Sequence, residues 1–329
     1  MIALALGSTA HLALGKNDDS GPGGLPLKHV ADVPLGGQPT RLDYASYAPD
    51  RHLLFIAHLG DSKIIVFDTR AGHVIARIRD VASVHGVLAI PELSRVYASA
   101  TGLNEVVAID ENTLKPIARM PGGIYPDGMA YAPEVHKLYV SDEAGGTETV
   151  IDVRSNTRVG KIPLGGEAGN TQYDPVSRHI FVNVQSRRQL IEIDPATDRI
   201  IARIDLSGAR GNHGLLIDPR QRLAFIACED NDKLLVLDMR TMRVTASFDV
   251  GHYPDVLAFD PRLHLLYVAG EAGIVSMFKA EGGVTKKIGD GFIGPNAHVV
   301  VVDGSTHLAY FPLKDVRGQA RLRIMAPKH

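Results

Sequence analysis

Residues 212–248 read NHGLLIDPRQRLAFIACEDNDKLLVLDMRTMRVTASF, and four short apolar or alternating runs can be picked out within them. HGLLID runs into Pro219, and LAFIA, LLVLD and RVTASF follow, separated by short polar segments carrying Pro, Asp, Asn and Arg. Runs of five or six residues rich in β-branched and aromatic side chains, broken by turn formers, are strands in a meander. Residues 125–162, YPDGMAYAPEVHKLYVSDEAGGTETVIDVRSNTRVGKI, have the same layout.

Working outward, the residue pair before the first turn recurs as an anchor. YAP ends at Pro49, AIP at Pro91, YAP at Pro133, YDP at Pro175, IDP at Pro219 and FDP at Pro261, with Gly304 of VDG in the seventh place. The steps are 42, 42, 42, 44, 42 and 43 residues. Each unit continues with a second run (LLFIA, RVYAS, KLYVS, HIFVN, LAFIA, LLYVA, LAYFP), and in most a third run ending in Asp and a fourth, alternating run follow. Helical periodicity is absent. Seven units of four strands predict an all-β, seven-bladed β-propeller of four-stranded blades. The seventh unit stops one strand short at its C-terminal end, whereas residues 27–35, LKHVADVPL, have the fourth-strand pattern and no unit of their own. The expectation is that this N-terminal strand completes the last blade, leaving no open inner edge.

The propeller therefore spans residues 27–329 as one domain. Residues 1–26 begin with the apolar, small-residue stretch MIALALGSTAHLALG and run into KNDDSGPGG, which reads as a signal-like segment and a flexible linker and implies a periplasmic or secreted protein. Lys plus Arg number 35 against 37 Asp plus Glu, so no global field draws the chain to nucleic acid. No apolar run elsewhere reaches the length of a membrane span. Cys228, the one cysteine, excludes an intrachain disulfide and a thiolate zinc cluster. A monomer is expected. Motifs that name a chemistry, such as a phosphate loop, a dinucleotide fingerprint, HExxH, GxSxG or CxxCH, do not occur.

The units quoted above resemble the YVTN-type repeats of YncE-like propellers, and at repeat level the haem-d domain of nitrite reductase, over about residues 29–325. The resemblance implies the fold. It leaves function open, because such propellers include binding proteins, lyases, lactonases and proteins without known activity. The dipeptide of WD-repeat propellers is missing, and the chain has no Trp.

Six positions before each anchor lies the start of the innermost strand: Asp43, His85, Asp127, Gly169, His213, Asp255 and His298. The flanking positions are mostly apolar, so polar chemistry is concentrated on one ring. Loops between the second and third strands open on the same face and add His58, Asp142, Glu143, Glu229, Asp230 and Glu271, and loops entering the innermost strands add Arg41, Tyr125, His252, Tyr253 and Asn296. Asn170 adjoins the ring at Gly169. Two like charges 4 Å apart repel by about 4 kcal/mol at an effective dielectric of 20, so converging carboxylates imply a counter-charge.

Three readings of this funnel compete. In an enzyme, His85, His213 and His298 with a carboxylate hold Mn, Zn, Mg or Ca, Asp127 and Asp255 act as partners, a His or Tyr transfers protons, and Arg41 orients an anionic group, as in a metal-dependent lyase or lactonase-like hydrolase. In a binding protein, Arg41, Asp43, His58, Tyr125, Glu143, Asn170, Glu229, Tyr253 and Glu271 capture a small polar or anionic ligand, a metal or a tetrapyrrole without turnover. In the third, His and Asp form a solvated hydrogen-bond belt. The Asp residues that end third strands (Asp68, Asp110, Asp152, Asp194 and Asp238) are expected to cap turns on the opposite face. Cys228 is expected to be a small apolar filler.

Overall fold

In the computed structural model, which describes residues 24–328, each repeat forms one four-stranded antiparallel sheet, and seven such sheets make the ring. Blade 3 is representative, with strands Pro126–Ala132, Lys137–Asp142, Thr147–Asp152 and Thr157–Pro163 running from the channel to the rim. The expected signal-like segment lies outside the described residues apart from residues 24–26. No helix among the described residues is long and apolar enough to cross a membrane.

Closure follows the strand count. Leu27–Pro34 is the outer strand of blade 7, beside Arg321–Pro327, Leu308–Leu313 and the innermost Val301–Asp303. Its antiparallel register runs from Leu27 opposite Pro327 to Pro34 opposite Arg321. Arg323 clasps this seam by donating from Nε and Nη2 to the two carboxylate oxygens of Asp32 at 2.8 and 2.6 Å. The bidentate pairing joins residues 291 positions apart, so the ring closes non-locally.

The apolar core lies between blades. An aromatic residue occupies the same place in every second strand, namely Phe55, Tyr97, Tyr139, Phe181, Phe225, Tyr267 and Tyr310, and all are buried. Aromatic side chains of this kind each bury roughly 150–250 Å² and dominate the packing of one blade on the next. On the far face, Asp68, Asp110, Asp152, Asp194 and Asp238 each accept backbone N–H bonds from residues two or three positions on, as turn caps.

One irregularity positions the site. The ladder between first and second strands skips two residues between Val84 and Val87, Pro126 and Met129, Ala168 and Thr171, Asn212 and Leu215, and Pro254 and Leu257. The skipped residues are the ring residue and its successor. A break in pairing turns these side chains out of the sheet and into the channel. The innermost strands come so close there that a Cβ added at Gly86 would lie 2.1 Å from the Asp127 carbonyl, and one at Gly214 would lie 1.9 Å from that of Asp255. Only glycine fits.

Candidate functional site

The channel opens on one face as a funnel of about 820 Å³, lined by Asp43, His85, Asp127, His213 and Asp255 from the ring and by Arg41, Tyr125, Glu143, Glu229, Tyr253 and Glu271 around it. The residues two positions before the ring adopt left-handed backbone in blades 2, 3, 5, 6 and 7: Ser83 at φ 44°, Tyr125 at 61°, Gly211 at 59°, Tyr253 at 51° and Asn296 at 57°. This turn carries the Tyr125 and Tyr253 rings to the rim, where both are exposed. Strained backbone at a non-glycine residue persists only where its surroundings hold it.

The same turn orients two histidines. Nδ1 of His85 donates to the Ser83 carbonyl at 3.0 Å, and Nδ1 of His298 to the Asn296 carbonyl at 3.1 Å. A carbonyl can only accept, so in the neutral ring each Nε2 is left with a lone pair. Nε2 of His85 receives the Tyr125 hydroxyl at 2.9 Å. Nε2 of His298 is buried and has no hydrogen-bond partner; it faces Asp255 Oδ2 at 3.9 Å and Glu271 Oε1 at 4.0 Å.

His213 is placed differently. Nδ1 meets Gln185 Oε1 at 3.3 Å, and the Gln185 amide is fixed in that sense because its Nε2 donates to Glu143 and to the Ala168 carbonyl. Nε2 meets the Tyr44 hydroxyl at 3.1 Å, and Tyr44 in turn donates to Asn170 Oδ1 at 2.7 Å. Both ring nitrogens are thus donors. Burial opposes the charged ring, but Glu229, Asp255, Asp127 and Glu143 outweigh it and raise His213 to about 9. It is the imidazolium that the crowded carboxylates require.

The carboxylates remain under-compensated. Burial pushes Asp127 well above the usual range, against the pull of His213, and Asp43, Glu143 and Asp255 add to it. Burial likewise raises Asp255, and burial with its carboxylate neighbours raises Glu229 to about 7. Oδ1 of Asp127 and Oδ1 of Asp255 are buried without partners. Arg41, the guanidinium of the funnel, is held by Asp43 at 2.9 Å and Glu271 at 2.6 Å.

Several sequence expectations are corrected by these positions. The three histidines do not gather around one point: His85 is joined to Tyr125, and the groups whose donor atoms lie within 4.8 Å of one another are His213 with Glu229 and Asp255, and Asp255 with Glu271 and His298. Arg41 is engaged by two acids and is not held free for an anion. His58 does not reach the funnel; it is fully buried beside Thr40 and Asp61. The reason is strand parity. His58 ends its strand at the place that Asp142 and Cys228 hold in theirs, and these side chains turn inward, whereas the next residues, Leu59, Thr101, Glu143, Glu229 and Glu271, line the funnel. Asn170 lies below the ring, where it meets Tyr44.

Tyr44 is the residue that the sequence reading missed. It follows Asp43 and reaches across the channel from blade 1 to blades 4 and 5, forming the funnel floor. The signal was present, since the equivalent positions in blades 2, 3 and 5 are Gly86, Gly128 and Gly214, which leave the width of the channel to one large side chain.

No protein-family model matches the chain, and no curated protein matches it. Among solved structures, Kuenenia stuttgartiensis hydrazine synthase superimposes with a TM-score of 0.74 at 14% identity, covering 96% of this chain and 98% of that one. U3-55K superimposes with a TM-score of 0.76 at 10% identity over 90% of this chain and 98% of that one. At such identities the likeness shows the propeller fold alone.

Proposed function

We propose that the funnel binds a divalent cation between His298, Asp255 and Glu271. The observation that carries this reading is the buried, unpartnered Nε2 of His298, facing two carboxylate oxygens at about 4 Å. Metal bonds of roughly 2.0–2.2 Å separate ligand atoms by about 3 to 4.4 Å as the angle opens from square to straight, so a cation fits with small side-chain shifts. One imidazole with two carboxylates suits Mn or Zn ahead of the all-oxygen preference of Mg and Ca. Asn296 donates to Glu271 Oε2 and its carbonyl holds His298 Nδ1, which orients both ligands, while Arg41 pairs with the same Oε1 that faces His298, so a cation there shares that oxygen with the guanidinium. Elemental analysis of untagged protein and melting with and without added Mn or Zn test the reading: a cation retained near one equivalent and a raised melting temperature support it, and neither effect rejects it.

A catalytic role as a metal-dependent lyase or hydrolase is supported by one further contact. Burial, then Glu143, Asp127 and Asp43, raises the Tyr125 hydroxyl above its ordinary range, so at neutral pH it keeps its proton and donates it to His85. This pair supplies a proton donor and an acceptor in the funnel wall. On the YncE-like reading of the repeats, the alternative is ligand capture without turnover. A screen of lactones and uronates with the Mn-loaded protein separates the two, and loss of turnover in Tyr125→Phe with metal content intact would assign the pair.

A further inference from the structure

We propose that Tyr253 is a stacking platform for the ring of a sugar, and that the funnel takes a carbohydrate. The platform stands beside the cation site and does not depend on it.

The Tyr253 backbone is clamped from both sides. Its N–H donates to Asp232 Oδ1 at 2.9 Å, and its carbonyl accepts the Glu271 N–H at 2.9 Å. The residue is thereby held at φ 51°, a left-handed conformation that is costly for a bulky side chain. Ser83, Gly211 and Asn296 fill the same place in blades 2, 5 and 7, so the turn itself does not require an aromatic ring. Asp232 also holds Nδ1 of His252 with its second oxygen at 2.6 Å. That imidazole packs on the Tyr253 ring, with centroids 4.2 Å apart and planes at 43°. Tyr253 lines the funnel and His252 does not, so the histidine braces the ring from outside.

The braced ring is nevertheless 48% exposed. Tyr125, its equivalent in blade 3, commits its hydroxyl to His85 at 2.9 Å, whereas the Tyr253 hydroxyl meets no partner among the described residues. A strained, clamped tyrosine that the fold does not use is a surface made to be covered.

The rest of the funnel decides what covers it. The electron-rich face of a tyrosine attracts weakly positive C–H bonds and gains from burying apolar area. Glu143 and Glu229 line the same funnel, partly exposed, and offer acceptor oxygens. A planar aromatic ligand would cover the ring but bring no donor to those oxygens. A sugar ring has both parts: a C–H face for Tyr253, and a perimeter of hydroxyls that donate to carboxylates and accept from the Tyr253 hydroxyl. At about 820 Å³ the funnel falls within the roughly 300–1,000 Å³ that small-molecule sites occupy.

Saturation-transfer NMR on EDTA-stripped protein tests the platform, because it reads weak binding and reports which ligand protons touch the protein. The probes are the methyl β-glycosides of glucose, galactose, mannose and xylose, with phenol beside them. Transfer to the ring C–H protons of at least one glycoside is expected, falling on the order of tenfold or more in Tyr253→Asn and kept in Tyr253→Phe. Val284→Ala, on the exposed outer strand of blade 6, should leave it unchanged. Asn holds the equivalent place in blade 7 and suits left-handed backbone, and melting curves verify folding, so loss of transfer is not mistaken for loss of structure. Silence of all four glycosides, with or without phenol binding, overturns the proposal, as does undiminished transfer in Tyr253→Asn or its loss in Tyr253→Phe. With the cation removed, none of these outcomes bears on the His298 site.

Discussion

The hydroxyl of Tyr44 in blade 1 lies 3.1 Å from Nε2 of His213 in blade 5, so one side chain spans the central channel and gives the funnel its floor. The same hydroxyl donates to Asn170 at 2.7 Å. Tyr44→Phe removes both bonds and leaves Asn170 and His213, both buried at the bottom of the funnel, without this partner. The expected cost is about 1–3 kcal/mol, read by urea unfolding. An unchanged unfolding midpoint would mean that water already satisfies those groups.

Glycine at the inner bulges is required by contact. Gly214→Ala drives a Cβ to 1.9 Å from the Asp255 carbonyl and is expected to cost about 2–3 kcal/mol or to prevent folding. Gly72→Ala, with φ at +73° and nothing within 4 Å, is the matched control and should cost about 1 kcal/mol. Equal effects on melting temperature would remove the argument that the innermost strands are in close contact at the ring.

Closure by residues 27–34 makes the N-terminal strand part of the fold. Deleting residues 1–35 is expected to leave the chain unfolded or aggregated, because it exposes the edge of Arg321–Pro327. A milder probe is acid. Arg323 lowers Asp32 to about 2, so the pair contributes stability above the ordinary carboxylate range and loses that contribution as pH falls from about 4 toward 2. Asp32→Asn should remove that part of the acid dependence. A truncated chain with the native melting temperature would show that the seam does not hold the ring.

Repeat period, strand count and closure were legible in the sequence because each depends on spacing alone. The ring was legible for the same reason: Asp43, His85, Asp127, His213 and Asp255 line the funnel, whereas His298 is fully buried and meets it only through Asp255 and Glu271. Failures came where a single residue of parity decides direction. His58 is one position from a funnel-lining place and alternation sends it inward, whereas Asn170 holds the place that Tyr44 holds in blade 1 and is capped by the Tyr44 hydroxyl. Arg41 lines the funnel as expected, but its pairing was not legible. Its partners, Asp43 and Glu271, are two and 230 residues away, and only the second contact requires the closed ring to be known.

Stability should depend on pH through the crowded carboxylates, with one sign. Glu229, raised to about 7 by burial and neighbouring acids, contributes stability below its ordinary value near 4.3 and loses it as pH rises through about 7. His213, raised to about 9 although burial opposes it, contributes below its ordinary value near 6.5 and loses that as pH rises through about 9. Metal-free protein should therefore melt at progressively lower temperature between about pH 5 and 9, and Glu229→Gln should flatten the acid half of that slope. A melting temperature that rises over this interval would contradict the charge balance described for the funnel.

The central claim is that a buried imidazole lone pair and two carboxylates await a cation. Titration calorimetry of Mn into EDTA-stripped protein, wild type beside His298→Ala, tests it directly. One equivalent should bind to the wild type, with affinity reduced on the order of a hundredfold or lost in the variant, while His213→Gln retains binding once folded. Absence of Mn and Zn binding in the wild type, or the same affinity in His298→Ala, would contradict the account.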